Sequence, residues 1–313
     1  MNKGRLLALV LLASLAITAG STMLDTPLVT AQTPELVARF VNGSLPLDPG
    51  AKLWADLDLV EVTLGSQSIV YPLTPTSVAT LRIAAAYNLS HVAFYIEWDD
   101  PSMDVEVPGG LDVFADAVAM QFPVSDDSLP YICMGTVSDP VYIVYWKAPE
   151  MVEALVAGSG YGLSPEEREA LGLSKTPKSP IEKLPESEQD WISSATYEDG
   201  KWRLVVVRAS GSSHPLETEF RPGGELGIVL ARWEGSEYER GGLKKISGWM
   251  SLKLEEPPVG FETVTETTTV EKTVTVVEEL ERVPYSVFVV AGLALIVAAA
   301  TIYVMLRRRP SSG

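Results

Sequence analysis

The sequence predicts an all-β protein: a β-sandwich ectodomain with a helical or irregular insertion, plus one C-terminal transmembrane helix. Three observations predict it. Short runs rich in Val, Ile, Tyr, Phe and Trp recur at regular spacing and are broken by Gly, Pro, Asp and Asn, as sandwich strands alternate with turns. Helical patterning is confined to two short stretches in mid-chain. Near the C-terminus, the uncharged apolar run 284–306 has the length a helix needs to cross a bilayer.

In chain order, residues 1–31 read as a secretory signal. Lys3 and Arg5 precede an apolar run over 6–19, with small residues suited to cleavage near Ala19 and Gly20 and again at Ala31. An uncleaved anchor is the alternative. The ectodomain, 32–260, opens with alternating strands at LDLVEVTLG (57–65) and SVATLRIAAAYN (77–88), then an aromatic strand at HVAFYIEWDD (91–100). Later strands are expected at YIVYWKA, KWRLVVVRA, ELGIVLARWEG and SGWMSLKLE. Asn88-Leu89-Ser90 and Glu198-Asp199-Gly200-Lys201 have the composition of hairpin connections. The helical stretches are APEMVEALVAGSG (148–160) and SPEEREALGL (164–173), the second with a favourable Ser-Pro-Glu-Glu start. The Pro-, Ser-, Lys- and Glu-rich segment 160–190 reads as a long insertion over one end of the sandwich. Residues 261–283 form a Thr/Val/Glu-rich stalk. The span 284–306 follows, and Arg307, Arg308 and Arg309 begin a cytoplasmic tail, 307–313. The expected topology is single-pass in the cell membrane, with the ectodomain on the extracytoplasmic face.

Without its terminal segments the chain keeps about 230 residues, enough for one large domain. The net charge of −17, from 24 basic and 41 acidic residues, argues against nucleic acid, whose binding needs phosphate neutralisation. The lone Cys133 can form no disulfide within the chain, so a core or a bound group must hold the exported domain. No HExxH, CxxC, CxxCH or EF-hand run occurs. Covalent c-type haem is thereby excluded, and non-covalent haem is not. Asn42-Gly43-Ser44 and Asn88-Leu89-Ser90 match the N-glycosylation pattern. Carboxylates such as Asp99, Asp100, Asp104, Asp112 and Asp116 are plentiful, but their spacing selects no hydrolase.

The stretch YICMGTVSDPVYIVYWKAPE (131–150) reads either as core strands joined by a turn or as the wall of a pocket for a flat apolar cofactor. A haem buried between sheets needs apolar walls, one or two axial ligands and a partner for its propionates. Met134 can supply a sulfur ligand, and Gly135 beside it permits close approach. Its plainer role is core packing. Lys147, at the end of VYIVYW, can ligate only as a neutral amine and more commonly reaches out to solvent. His91 reads as a surface residue. His214, in the polar loop GSSHPLE, can reach the mouth of a pocket at the end of a sandwich. Arg208 can grip a propionate or be an ordinary charge at a strand end.

Five segments in order, AFYIEWDDPSMD, FADAVAMQFPV, CMGTVSDPVYIVYWKA, YEDGKWRLVVVRA and IVLARWEGSEYERGGLKKISGWMSLKL, resemble one family. It is the ethylbenzene-dehydrogenase-related group, the haem b subunits that accompany molybdenum enzymes of the dimethyl sulfoxide reductase class. The resemblance spans roughly 53–254. It implies a β-sandwich holding one non-covalent haem b, its iron ligated by a methionine and a lysine. The family's Met-Gly motif falls on Met134 and Gly135. The likeness points to the region 201–214 for the second ligand, where Arg208 stands in place of a lysine. Arginine stays protonated and ligates poorly, so either His214 or Lys201 substitutes, or Lys147 serves, or this member has lost tight ligation. Family subunits are commonly soluble, whereas this chain resembles membrane-anchored archaeal versions.

The leading expectation is therefore a membrane-anchored extracytoplasmic cytochrome b that is not itself an enzyme. It would exchange electrons with a molybdenum-containing oxidoreductase and its iron–sulfur subunits, or with another membrane respiratory complex. Trp98, Trp146, Trp202 and Trp233 are expected in the core and pocket wall. The rival is a surface carbohydrate-binding sandwich without haem, using exposed tryptophans on one face. The fold alone does not choose between them.

Overall fold

The computed structural model describes residues 34–68, 77–105, 114–125, 128–158, 163–177, 179–212 and 214–258. The expected signal, stalk and span lie outside these residues. Among the described residues no helix is long and apolar enough to cross a membrane.

The strands assemble as two stacked sheets. One contains β1 (Glu35–Phe40), β3 (Ala79–Tyr87), β4 (His91–Asp99), β9 (Ile192–Glu198), β10 (Lys201–Ala209) and β13 (Met250–Leu254). The other contains β5 (Ala117–Pro123), β6 (Val141–Lys147), β7 (Met151–Ala157), β8 (Ile181–Lys183) and β12 (Leu243–Ile246). Two long strands, β2 (Val60–Ser68) and β11 (Glu225–Trp233), serve both sheets. Their first halves pair with β3 and β13, and their second halves with β12 and β5. A strand that changes sheet in this way makes the corner of a sandwich.

Side-chain alternation builds the central core. Ile83, Phe94, Ile96, Phe122, Val144, Trp146, Leu204 and Leu230 all point inward and are buried. Fully burying each such side chain contributes about 1.5–3 kcal/mol. Both outer faces carry apolar residues as well. On the first sheet, Ala86, Ala93, Tyr95, Val205 and Val207 are covered by the arm 41–59, which includes the short helix α1 (Lys52–Ala55). Trp54 of α1 stacks on Tyr95 with ring centroids 5.8 Å apart.

The expected turns follow their local chemistry. Asn88 Oδ1 accepts from the backbone N–H groups of Ser90 and His91, closing the β3–β4 hairpin. Asp199 and Gly200 join β9 to β10 with φ of 54° and 70°, the paired left-handed geometry of a two-residue hairpin turn. The helix expected from Ser164 is present as α2 (Pro165–Ala170), with Ser164 and Glu167 capping each other reciprocally. The helix expected over 148–160 is instead strand β7. Its seven residues pair along their whole length with β6, and sheet pairing outweighs the weak helical preference of so short a run.

Candidate functional site: an apolar cavity on an outer face

On the second sheet, Ala119 of β5, Ile143 and Tyr145 of β6, and Val229 and Ala231 of β11 face away from the central core. Leaving such a face in water forfeits the burial that stabilises a sheet. Two segments cover it, the loop 131–140 and the Gly241-Gly242 turn that leads into β12. Between them and the sheet lies a cavity of about 250 Å3. The expectation of a pocket between the sheets is thus corrected: aromatic rings close-pack the central layer, and the space lies on the far side of one sheet.

Met134 enters this cavity from the loop. The segment 131–140 is not a strand. Met134 and Gly135 both adopt left-handed backbone, with φ of 69° and 60°. For methionine that conformation costs about 1–3 kcal/mol, so its surroundings must impose it. Three side chains do so. Trp249 Nε1 donates to Pro130 O at 3.0 Å, Gln121 Nε2 to Ile132 O at 3.1 Å, and Gln67 Nε2 to Cys133 Sγ at 2.7 Å. Half-buried Met134 then packs against the outer-face cluster of Ala119, Ile143 and Trp233.

Lys244 enters from the other side. It precedes Lys245 on β12, and alternation sends the two lysines to opposite faces. Lys245 is buried and fully paired, its Nζ 2.5 Å from Glu237 and 2.8 Å from Glu239. Lys244 lines the cavity and has no hydrogen bond or ion pair among the described residues; its Nζ lies 5.2 Å from the centre of the Trp233 ring. Burial pushes its pKa below the ordinary lysine value, with only the neighbouring Cys133 acting the other way. A lysine biased toward its neutral amine can offer a lone pair. The cavity therefore holds a thioether and an amine, on separate segments, among apolar walls.

Of the candidate ligands and propionate partners singled out from sequence, Met134 lines this cavity and Lys147, Lys201, Arg208 and His214 do not, while Trp233 is part of its wall as expected. Lys147 ends β6 opposite Ala117 and Met151, on the same side as Tyr145 but beyond the lining. Lys201 starts β10 on the first sheet, where it pairs with Glu97 and Asp99. Arg208 is buried in the central layer. It donates to Tyr142 Oη at 2.9 Å and Thr218 O at 2.6 Å and pairs with Glu217 at 3.2 Å, so its guanidinium is already saturated with acceptors. His214 accepts from the Leu216 N–H at Nδ1, which leaves Nε2–H to donate to Leu171 O at 3.1 Å. His91 is exposed at the start of β4. Sequence reasoning missed Lys244. The signal was present in GGLKKISG, inside the last segment of the family resemblance, two strands beyond the region searched.

A second polar cluster lies near the ends of β4, β5 and β11. Carboxylate oxygens of Asp100, Asp104, Asp116 and Glu234 lie within 4.8 Å of one another. Arg232 pairs with Asp100 and Glu234, while the indoles of Trp98 and Trp202 donate to Asp100 and Asp116. Burial, chiefly, pushes Asp116 up to about 6 and Glu234 up to about 7.

Fold and site define a two-sheet β-sandwich protein with a preformed apolar cavity on one outer face, lined by the Met134 thioether, the Cys133 thiol and the Lys244 amine. The chain belongs to the ethylbenzene dehydrogenase family, whose sequence profile matches residues 51–245. It is 28% identical to a Haloferax mediterranei protein named for a respiratory nitrate reductase heme subunit, over 74% of this chain and 81% of that one. It is 25% identical to the dimethylsulfide dehydrogenase subunit gamma of Rhodovulum sulfidophilum, over 67% of this chain and 76% of that one. Among solved structures, a family 9 carbohydrate-binding module from Caldicellulosiruptor kristjanssonii in complex with glucose matches 71% of this chain and 96% of its own. The TM-score is 0.38 at 11% identity, a likeness from which nothing about a ligand follows.

Proposed function

We propose that this protein is a haem-binding electron-transfer subunit of a respiratory oxidoreductase complex. One non-covalent haem b would occupy the outer-face cavity, and Met134 and Lys244 are the residues that would hold its iron. The observation that carries this is the convergence of these two side chains on one apolar cavity, with Lys244 lacking the acidic partners that Lys245 has. The cavity fits the group in its chemistry: an apolar lining for the macrocycle, a thioether, and an amine biased toward neutrality. When bound, the haem supplies a one-electron carrier. The chain's residues set its behaviour. A methionine sulfur favours reduced iron and raises the potential. The apolar wall limits water, and no catalytic acid or base is required.

Family membership and the relatives' names support a partner that is an oxidoreductase of the molybdenum class; the proposal extends that partner to its iron–sulfur subunits or another membrane respiratory complex. The apolar run 284–306 supports attachment to the cell membrane with the sandwich on the extracytoplasmic face. The carbohydrate-binding alternative needs exposed tryptophans on one face. All seven tryptophans lie within the described residues; six are buried and Trp249 is half-buried.

The test is the visible spectrum of the full-length chain, oxidised and reduced, with a pyridine haemochrome assay. A b-type spectrum near one haem per chain is expected. Met134→Ala and Lys244→Ala should each abolish the six-coordinate low-spin spectrum or the bound haem itself. Protein from its native membrane without haem overturns the proposal. Haem whose spectrum neither substitution alters overturns the ligand pair.

A further inference from the structure

Among the described residues, Gln67 Oε1 and the Lys244 amine are polar groups of the cavity without a hydrogen-bond partner, and they belong to residues directly across from each other. Gln67 on β2 and Lys244 on β12 are register partners in the antiparallel pair, and both side chains line the cavity. Directly opposed residues on one sheet face bring their Cβ atoms to about 4.5–5.5 Å, within easy reach for two long side chains. The Gln67 amide uses only one of its ends. Nε2 donates to Cys133 Sγ, next to Met134, while Oε1 is buried and accepts from nothing. A buried amide oxygen left in this way costs about 1–3 kcal/mol. Opposite it stands Lys244, a donor with no acceptor among the described residues.

We propose that Gln67 is the positioning residue of the site. Its Oε1 accepts an N–H of the Lys244 amine when the amine's lone pair is engaged by iron, while its Nε2 holds the Met134 segment through Cys133. This rests on the reading of Met134 and Lys244 as ligands. A neutral amine has one lone pair and two N–H bonds. With the lone pair committed, an acceptor beside an N–H fixes rotation about Cε–Nζ and strengthens donation by the nitrogen. The amide oxygen suits that task because it accepts hydrogen bonds and brings no charge that would hold the lysine as ammonium. One side chain thus ties the strand carrying the nitrogen donor to the loop carrying the sulfur donor.

Outer partners of metal ligands typically change affinity about 10–100-fold when removed. The experiment measures the haem midpoint potential of the full-length chain as wild type, Gln67→Leu, Lys244→Met and the double variant. Gln67→Leu should keep its haem and raise the potential by up to the shift of a tenfold change in relative affinity for ferric iron, about 59 mV for one electron. Gln67→Asn withdraws the same amide by one methylene and should shift the potential in the same direction, so it decides the question if the leucine variant does not fold. In the Lys244→Met background, Gln67→Leu should shift the potential much less, because only its hold on the Met134 segment through Cys133 is left to lose. An unchanged potential in both single Gln67 variants overturns the proposal. So does a shift of equal size without Lys244, which would mark a general effect of polarity. A wild-type chain without haem, or with a spectrum indifferent to Lys244, overturns the ligand reading and this proposal with it, and shows itself before Gln67 is changed.

Discussion

Arg208 and Lys244 show how burial decides what a cation does. Both sit on strands in the later part of the chain, Arg208 on β10 and Lys244 on β12. Arg208 lies between the sheets, where Glu217, Tyr142 and a backbone carbonyl surround it, and the rings of Tyr142, Trp191 and Phe220 lie 5.2–5.5 Å away. Breaking a buried pair of this kind leaves a charge uncompensated and costs about 3–5 kcal/mol. Arg208→Met should therefore lower the denaturation midpoint by about that much in free energy. The visible spectrum of the fraction that stays folded should not change. A variant of normal stability with an altered haem spectrum would return Arg208 to the role of a propionate partner. Lys244 differs because no carboxylate pairs with it among the described residues, and its amine is what the proposed function uses.

At the scale of elements, the loop 131–140 is held by contacts that tolerate little substitution. Gly158, at the end of β7, packs its backbone against this loop. A Cβ there would meet Thr136 O at 2.6 Å and Met134 O at 2.9 Å, and the φ of 92° disfavours any side chain. Gly158→Ala is expected to displace the Met134 segment and weaken haem retention at least tenfold. A loss of about 1–3 kcal/mol in stability should accompany it. Haem-transfer rates to an acceptor globin would measure the first effect and urea titration the second; unchanged transfer would show that the loop's position is not critical. The strands β3, β4, β10 and β11 were legible because each is a run rich in aliphatic, β-branched or aromatic residues bounded by turn residues. The helix read over 148–160 was not a helix, because Met151–Ala157 has a β6 edge to pair with and a seven-residue helix has little of its own to oppose that.

For the molecule as a whole, pH acts through the buried acids at the sandwich end. Asp116 rises from 3.8 to about 6 and Glu234 from 4.5 to about 7, so the folded state keeps protons that the unfolded chain has already released. Their contribution to stability is full below about pH 4 and is lost as pH climbs toward 7, since stability falls with pH wherever the folded state binds more protons. Glu234→Gln removes one of these groups. The melting temperatures of wild type and variant should therefore converge, or cross, between about pH 5 and 7.5. A gap that stays constant with pH would show that Glu234 is ionised throughout. Fractionation tests the other property of the whole chain. Full-length protein should sediment with membranes, and a chain ending at residue 260 should not. Equal partitioning of the two would remove the membrane anchor from the proposal.

The sequence by itself determined the all-β class, the two hairpins and the capped α2, because each follows from local spacing and the chemistry of neighbouring residues; Met134 came forward over the other candidates only through the family resemblance. Only the tertiary structure decided where the cavity lies and which lysine meets it. LKKI alternates in any sheet, but which lysine faces outward depends on the pairing of β12 with β2 and β11, residues far apart in the chain. That same pairing sets Gln67 opposite Lys244, a juxtaposition no local pattern encodes.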